Sequence, residues 1–193
     1  MPKLNSALDD FFGEIDKCFV PFAPLYKQKE LLGIIRKPLL TEAAHVRPRH
    51  WSHRGFGVGG ALLAYKPSGR GPREKWGVFV GANMRTKGID DEHSDIRKEL
   101  RVCSEMITVG TARAEGYERA IAIGLVAASQ EDHANGRKYP TLRPCLPCRK
   151  LLRSHPLCGL DMMVFTETSD RSDTEMLTVE RLIKQMGLES ESQ

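Results

Sequence analysis

Aromatic residues are scarce in this sequence, at 7%, with two tryptophans. No basic block alternates with them, so there is no stacking platform for bases, which argues against nucleic acid as a partner. Apolar runs long enough to cross a bilayer are missing, which argues against a membrane role. The opening residues MPKLNSALDD carry acidic groups and no apolar core, unlike a secretory signal. Cysteine is limited to five residues, an odd count that does not suit a disulfide framework. Together these absences lead us to expect a soluble cytoplasmic protein. A strong excess of one charge is lacking too. Lys+Arg 29 against Asp+Glu 25 leaves a net charge of +4, a weak lean towards anionic partners.

What is present is enough for a full core: 193 residues, 40% of them hydrophobic. The patterning predicts helices over 4–19 and 27–36, then an irregular stretch over 37–55 rich in Pro, His and Arg. This front section reads as an arm or as an enlarged first layer. Strands at 56–65 and 76–82 should pair as a hairpin, and the glycines of the first suggest that something packs close to its backbone. Residues 85–101 read as a charged loop and 102–116 as a helix. A buried strand follows over 120–127, a polar loop over 129–143, and a helix from Pro144 to about Ser154. A buried strand at 160–166 and a helix at 176–186 close the order. Helices alternating with buried strands imply a partly parallel sheet covered on both faces.

Two predicted helix starts carry cysteine: V-C-S-E at 102–105 and P-C-L-P-C-R at 144–149. Free N–H groups and partial positive charge at a helix N-terminus favour thiolates. Cys103, Cys145 and Cys148 would give a metal three ligands, and zinc with three thiolates keeps one tetrahedral position open. Water held there loses a proton near neutral pH. Glu105, two residues after Cys103, could reach that water without binding the metal and shuttle its proton. Arg149 could offset part of the thiolate charge. The arrangement fits the zinc deaminase pattern of His-or-Cys-x-Glu followed by Pro-Cys-x-x-Cys.

The sequence resembles the cytidine deaminase superfamily over about residues 51–186, most closely the small tri-cysteine cytidine and blasticidin S deaminases. SHRGFGVGGALLAY resembles the family's S-x-F-x-V-G-A-A-L-L strand, and VFVGANM its G-A-N-M strand end. VCSEMITVGTA resembles C-A-E-R-x-A, and PCLPCRKLL resembles P-C-G-A-C-R-Q-V-L. The resemblance implies an α/β, cytidine-deaminase-like three-layer α/β/α sandwich with a mixed, mostly five-stranded sheet. The division would be an N-terminal arm at 1–50 and a deaminase domain at 51–193. One Zn²⁺ per chain would sit on Cys103, Cys145 and Cys148. Glu105 would move protons while zinc-bound hydroxide attacks a cytosine-type ring and ammonia leaves. Phe56 would lie against that ring, Asn83 would bond a sugar hydroxyl, and the backbone at Ser104 would read the base edge. The substrate would be a small cytosine-containing molecule: a nucleoside, a nucleotide or a nucleoside antibiotic such as blasticidin S. A homo-oligomer, dimer or tetramer, is implied.

The sequence departs from the family at Asn83-Met84-Arg85, where the nucleoside enzymes have Asn-x-Glu. A cation there suits a phosphate or a carboxylate on the substrate. The stretch between Asn83 and Cys103 is longer than is usual in this branch, Met106 stands where many members have arginine, and the C-terminal aromatic is missing. Other readings stay open. One is a closed structural zinc site with Cys158 or His155 as fourth ligand; another is a redox dithiol at Cys145 and Cys148. A non-catalytic zinc-stabilised binding or assembly module and a nucleic-acid editing deaminase are the functional alternatives.

Overall fold

The computed structural model describes residues 3–52, 57–87, 99–127, 130–132, 137–139 and 141–185. In chain order the elements are α1 (Lys3–Cys18), α2 (Lys29–Val46), β1 (Trp51–Ser52), β2 (Gly59–Tyr65), α3 (Pro72–Lys75), β3 (Trp76–Ala82), β4 (Met84–Lys87) and β5 (Glu99–Val102). They continue with α4 (Ser104–Ala114), β6 (Arg119–Ala127), β7 (Gln130–Asp132), β8 (Arg137–Tyr139), α5 (Leu146–Ser154), β9 (Met163–Thr168), β10 (Thr174–Thr178) and α6 (Val179–Lys184).

The central sheet has five strands in the order β10-β9-β6-β2-β3. Only β6 and β9 run parallel; the other pairs are antiparallel. The sheet is therefore mixed, as expected. Its two faces are separately filled. On β2, Ala61 and Leu63 join the α1 and α2 side, with Leu31, Ile35 and Leu39, while Leu62 and Ala64 join the α4, α5 and α6 side, with Val109, Leu152 and Leu182. This is the two-residue alternation of a strand buried on both faces. On β6 the alternation breaks: Ile121 and Ala122 both join the α2 side. A register irregularity opposite Leu63 and Ala64 accounts for it, because an extra residue lets two neighbours share a face.

The glycine expectation for β2 is met from both sides. A Cβ on Gly59 would lie 1.9 Å from the carbonyl oxygen of Ala43 in α2, and one on Gly60 would lie 3.1 Å from the side chain of Ser104 in α4. Gly124 on β6 plays the same part under α2, where a Cβ would meet the Leu39 carbonyl carbon at 2.9 Å. Glycines thus let α2 lie flat on the sheet.

Several expectations need correction. The irregular stretch at 37–55 is helical as far as Val46, because α2 continues through Pro38. Proline costs one backbone hydrogen bond inside a helix. Burial of Leu39, Leu40, Ala43 and Val46 offsets that cost, at about 1.5–3 kcal/mol for each fully buried large side chain. α1 buries Phe12 and Ile15, but Leu8 is exposed. The loop reading of 85–101 fails at both ends, since β4 and β5 pair antiparallel and β1 pairs parallel with β4. Part of the polar loop at 129–143 is the β7–β8 pair. The first residues of the predicted last helix belong to β10, which pairs with β9.

The front helices are tied to the β2–β3 hairpin by an aromatic cluster. Phe19, Tyr65 and Trp76 stand with ring centroids 4.8–4.9 Å apart. Asp16 accepts from Trp76 Nε1 at 3.1 Å and pairs with Lys75 Nζ at 3.2 Å.

Candidate metal and catalytic centre

Cys103 and Cys145 occupy equivalent places, each the last extended residue before a helix, α4 and α5 respectively. The carbonyl of Cys103 accepts from Met106 N at 3.0 Å, and that of Cys145 accepts from Arg149 N at 2.9 Å. Cys148 lies one turn into α5, and a spacing of three residues brings two side chains onto one face. The sulfurs stand 3.7 Å apart for Cys103 and Cys145, and 3.4 Å apart for Cys145 and Cys148. All three lie within 4.8 Å of one another. Four ligands about 2.3 Å from a tetrahedral zinc would have edges of about 3.8 Å, so the donor set fits zinc in chemistry and in spacing.

α4 reaches this position because Gly60 and Gly81, register partners on β2 and β3, leave room for it. A Cβ at Gly81 would press on Ile107 at 2.9 Å and on the Ser104 carbonyl oxygen at 3.3 Å. Glu105, in the first turn of α4, is 4% exposed, and Ser104 Oγ donates to its Oε2 at 3.1 Å. Burial pushes the Glu105 carboxyl above the ordinary carboxylate range, assisted by the nearby Cys145 charge and opposed by the Ser104 hydrogen bond. The Cys103 thiol is pushed up to about 11, first by its hydrogen bond to Cys145 and then by burial and the Glu105 charge. Cys148 is likewise raised, by its bonds to the other two thiols and by burial. Cys103 and Cys148, crowded against a third sulfur and a carboxyl, resist ionising unaided, and a divalent cation is the partner that would reverse this.

The loop ahead of Cys145 is held by a polar network. Thr141 Oγ1 is 2.6 Å from Thr166 Oγ1 on β9 and donates to Glu175 Oε2 on β10 at 2.5 Å. Arg143 donates to both Glu175 oxygens, at 3.2 and 2.6 Å. Burial raises the Glu175 carboxyl, but the Arg143 and Thr141 hydrogen bonds and the Arg143 and Arg181 charges overcome this and hold it below its usual range. No motif signalled Thr141, Arg143 or Glu175 in the sequence; only the strand pairing brings them together. Arg149 is buried, with Nε donating to the Pro144 carbonyl at 2.5 Å.

The other candidates fall as follows. Asn83 ends β3: its Oδ1 accepts from Val58 N at 2.7 Å, and its backbone bonds to Val58 and Trp51. It thus fastens the chain ahead of β2 to the chain ahead of β4. Phe56 lies outside the described residues. Among the described residues the three-cysteine group includes neither Cys158 nor His155. Cys158 packs with Leu152 and Leu157, its thiol pushed up to about 12 by burial. His155 Nδ1 accepts from Leu157 N at 3.2 Å. His50 Nδ1 lies 3.0 Å from the Arg47 carbonyl, with its ring against Gly57.

The structure is similar to the cytidine deaminase from Burkholderia pseudomallei, with a TM-score of 0.54 and 20% identity over 76% of this chain and 94% of that one. The cytidine deaminase from Mycobacterium leprae is also similar, at 22% identity over 76% and 95% of the two chains, with a TM-score of 0.46. No family model and no curated protein matches the sequence. The chain has the cytidine deaminase fold: a five-stranded mixed sheet between two helical layers. Three cysteines able to hold a metal converge at the starts of two of its helices. Among the described residues no helix is long and apolar enough to cross a membrane.

Proposed function

We propose that the protein is a zinc-dependent hydrolytic deaminase that converts the exocyclic amine of a cytosine-type ring to a carbonyl with release of ammonia. The observation that carries this reading is the placement of a buried carboxyl, Glu105, beside three convergent thiols at the start of one helix. Zinc held by Cys103, Cys145 and Cys148 would supply a Lewis acid and lower the pKa of water. A carboxyl raised by burial holds a proton more readily than an ordinary carboxylate, which suits Glu105 to carry a proton from water to the ring nitrogen and the leaving amine. Ser104 Oγ fixes the orientation of that carboxyl, and the backbone at Ser104 would face the base edge. Asn83 would meet the sugar, with its position set by Val58, and Phe56 would stack on the ring. A small cytosine-containing molecule is the substrate in this reading, and a homo-oligomer in the cytoplasm its setting.

The test is zinc content together with ammonia release from cytidine, deoxycytidine, their monophosphates, cytosine and blasticidin S. Glu105→Gln should keep its zinc and lose roughly 10²–10⁴-fold in turnover. Full turnover in that variant would remove Glu105 from the mechanism and the reading with it.

A further inference from the structure

Of the three thiols, Cys145 is placed by the least regular stretch of chain. Cys103 follows Val102, whose backbone is paired with Met84 across two strands, and Cys148 lies inside α5. Cys145 follows Pro144, which has no N–H to offer a strand ladder, and Pro147 removes a second amide just beyond it. It is half-buried where the other two are buried. Side chains must do for Cys145 what strand pairing does for Cys103.

Three tethers do this in succession. A hydroxyl has one hydrogen. Thr141 gives its own to Glu175 Oε2, so the 2.6 Å contact with Thr166 is a bond that Thr166 donates. Arg143 commits each of its nitrogens: Nε and Nη2 to the two oxygens of Glu175, and Nη1 to Gln185 Oε1 at 2.8 Å, at the end of α6. Arg149 Nε then holds the Pro144 carbonyl from inside α5, and the next residue is Cys145. Stability alone does not call for the Arg143–Glu175 pair, because well-packed apolar residues in place of a buried ion pair are often as stable or more so. What a forked, two-bond pair adds is direction.

We propose that Arg143 is a positioning residue for the metal centre: through Glu175, Thr141 and Gln185 it fixes where the Cys145 sulfur stands, and so sets how tightly the chain holds its metal. This rests on the zinc reading and adds β10 and the end of α6 to that site.

The experiment uses the full chain with Arg143→Gln, Arg143→Lys, Glu175→Gln and the double glutamine variant. Asp16→Ala is the control for lost stability, since it leaves the buried Trp76 Nε1 without its acceptor, outside the site. Zinc affinity is measured by competition with a chromophoric chelator, well below every melting temperature. Arg143→Gln and Glu175→Gln should each weaken zinc binding about 10- to 100-fold. The double variant should lose little more than either, because the two side chains act as one unit. Arg143→Lys should recover only part of the loss, since an ammonium lacks the planar fork. The visible absorption of the Co²⁺-loaded chain should shift in the glutamine variants and stay put in Asp16→Ala. That control should melt lower with zinc affinity within about twofold of the wild type. Variants at Arg143 and Glu175 that melt lower but bind zinc as the wild type does would reduce the network to support of the fold and overturn the proposal. An equal loss of affinity in Asp16→Ala would overturn it too. If Arg143→Gln does not fold, Arg143→Lys decides by the same two readouts. A wild type that takes up no zinc sinks the zinc reading and the proposal together. A zinc-loaded wild type that releases no ammonia sinks the deaminase reading alone, and the affinities still decide on Arg143.

Discussion

Gly60 and Gly81 face each other across β2 and β3, and the first turn of α4 rests on both. Beside them, Gly59 lies hard against the backbone carbonyl of Ala43 in α2, which cannot turn aside as a side chain can. The difference separates stability from function. Gly59→Ala must push a helix off the sheet and should cost about 3 kcal/mol. Gly60→Ala asks Ser104 to give by a few tenths of an ångström, so it should cost less stability while displacing Ser104 and Glu105. Thermal melts and ammonia assays on both variants test this. The ranking fails if Gly60→Ala melts lower than Gly59→Ala.

Ser104 donates to the Glu105 carboxylate and so favours its ionised form. Ser104→Ala removes that donor, and the Glu105 carboxyl rises further. Ionising it then needs a higher pH, so the acid limb of the kcat/KM profile should move towards alkaline pH, with about a tenfold loss at neutral pH. An unmoved acid limb would show that Ser104 does not tune Glu105.

Metal should load onto three cysteines and not the other two. Emission spectrometry should find about one zinc per chain in the wild type, in Cys18→Ser and in Cys158→Ala. Cys103→Ser and Cys148→Ser should lose most of it. A chelator should lower the melting temperature of the wild type, since an ion bound by the folded state alone stabilises it by mass action. A melting temperature indifferent to chelator would count against a resident metal.

Glu175 links acid stability to the cysteine loop. Its folded pKa is depressed from the ordinary value of 4.5, so it contributes stability above that pH. That contribution is lost as pH falls from 4.5 through the depressed value. The Arg143 and Glu175 side chains are 10% and 17% exposed, and removing one partner of so buried a pair should cost about 3 kcal/mol near neutrality. Glu175→Gln should therefore melt lower at pH 7 than the wild type, with the gap closing in acid. A gap that is constant with pH would place the effect elsewhere.

The strands legible in the sequence are 59–65, 119–127 and 163–168, which bury both faces, and the edge strand 76–82; a short continuous apolar run between polar turns is stable when neighbours cover it on two sides. β4 and β5 carry the polar stretches MRTK and ELRV. They pair with each other and with two residues of β1, not with the core sheet, so hydrophobic patterning leaves no trace of them. β10 reads as part of the last helix because Leu177 is its single buried residue. A cue was present: Thr178 Oγ1 accepts from Arg181 N at 3.1 Å, the N-cap bond that marks the true start of α6. α2 outruns its predicted end because tertiary burial outweighs Pro38. At the cysteine centre, residue type and spacing named the thiols and Glu105. The glycine seat under α4 and the Thr141–Arg143–Glu175 support depend on strands meeting across the fold, which spacing along one chain does not express.

Every thiol of the centre, and Glu105, lies ahead of residue 150, yet the loop bearing Cys145 is braced by a carboxylate on β10. A fragment cut before Thr174 would therefore contain the full set of chemical groups without the brace that aims one of them. The smallest working piece of this chain is set by its mechanical support, and it extends well past its last reactive atom.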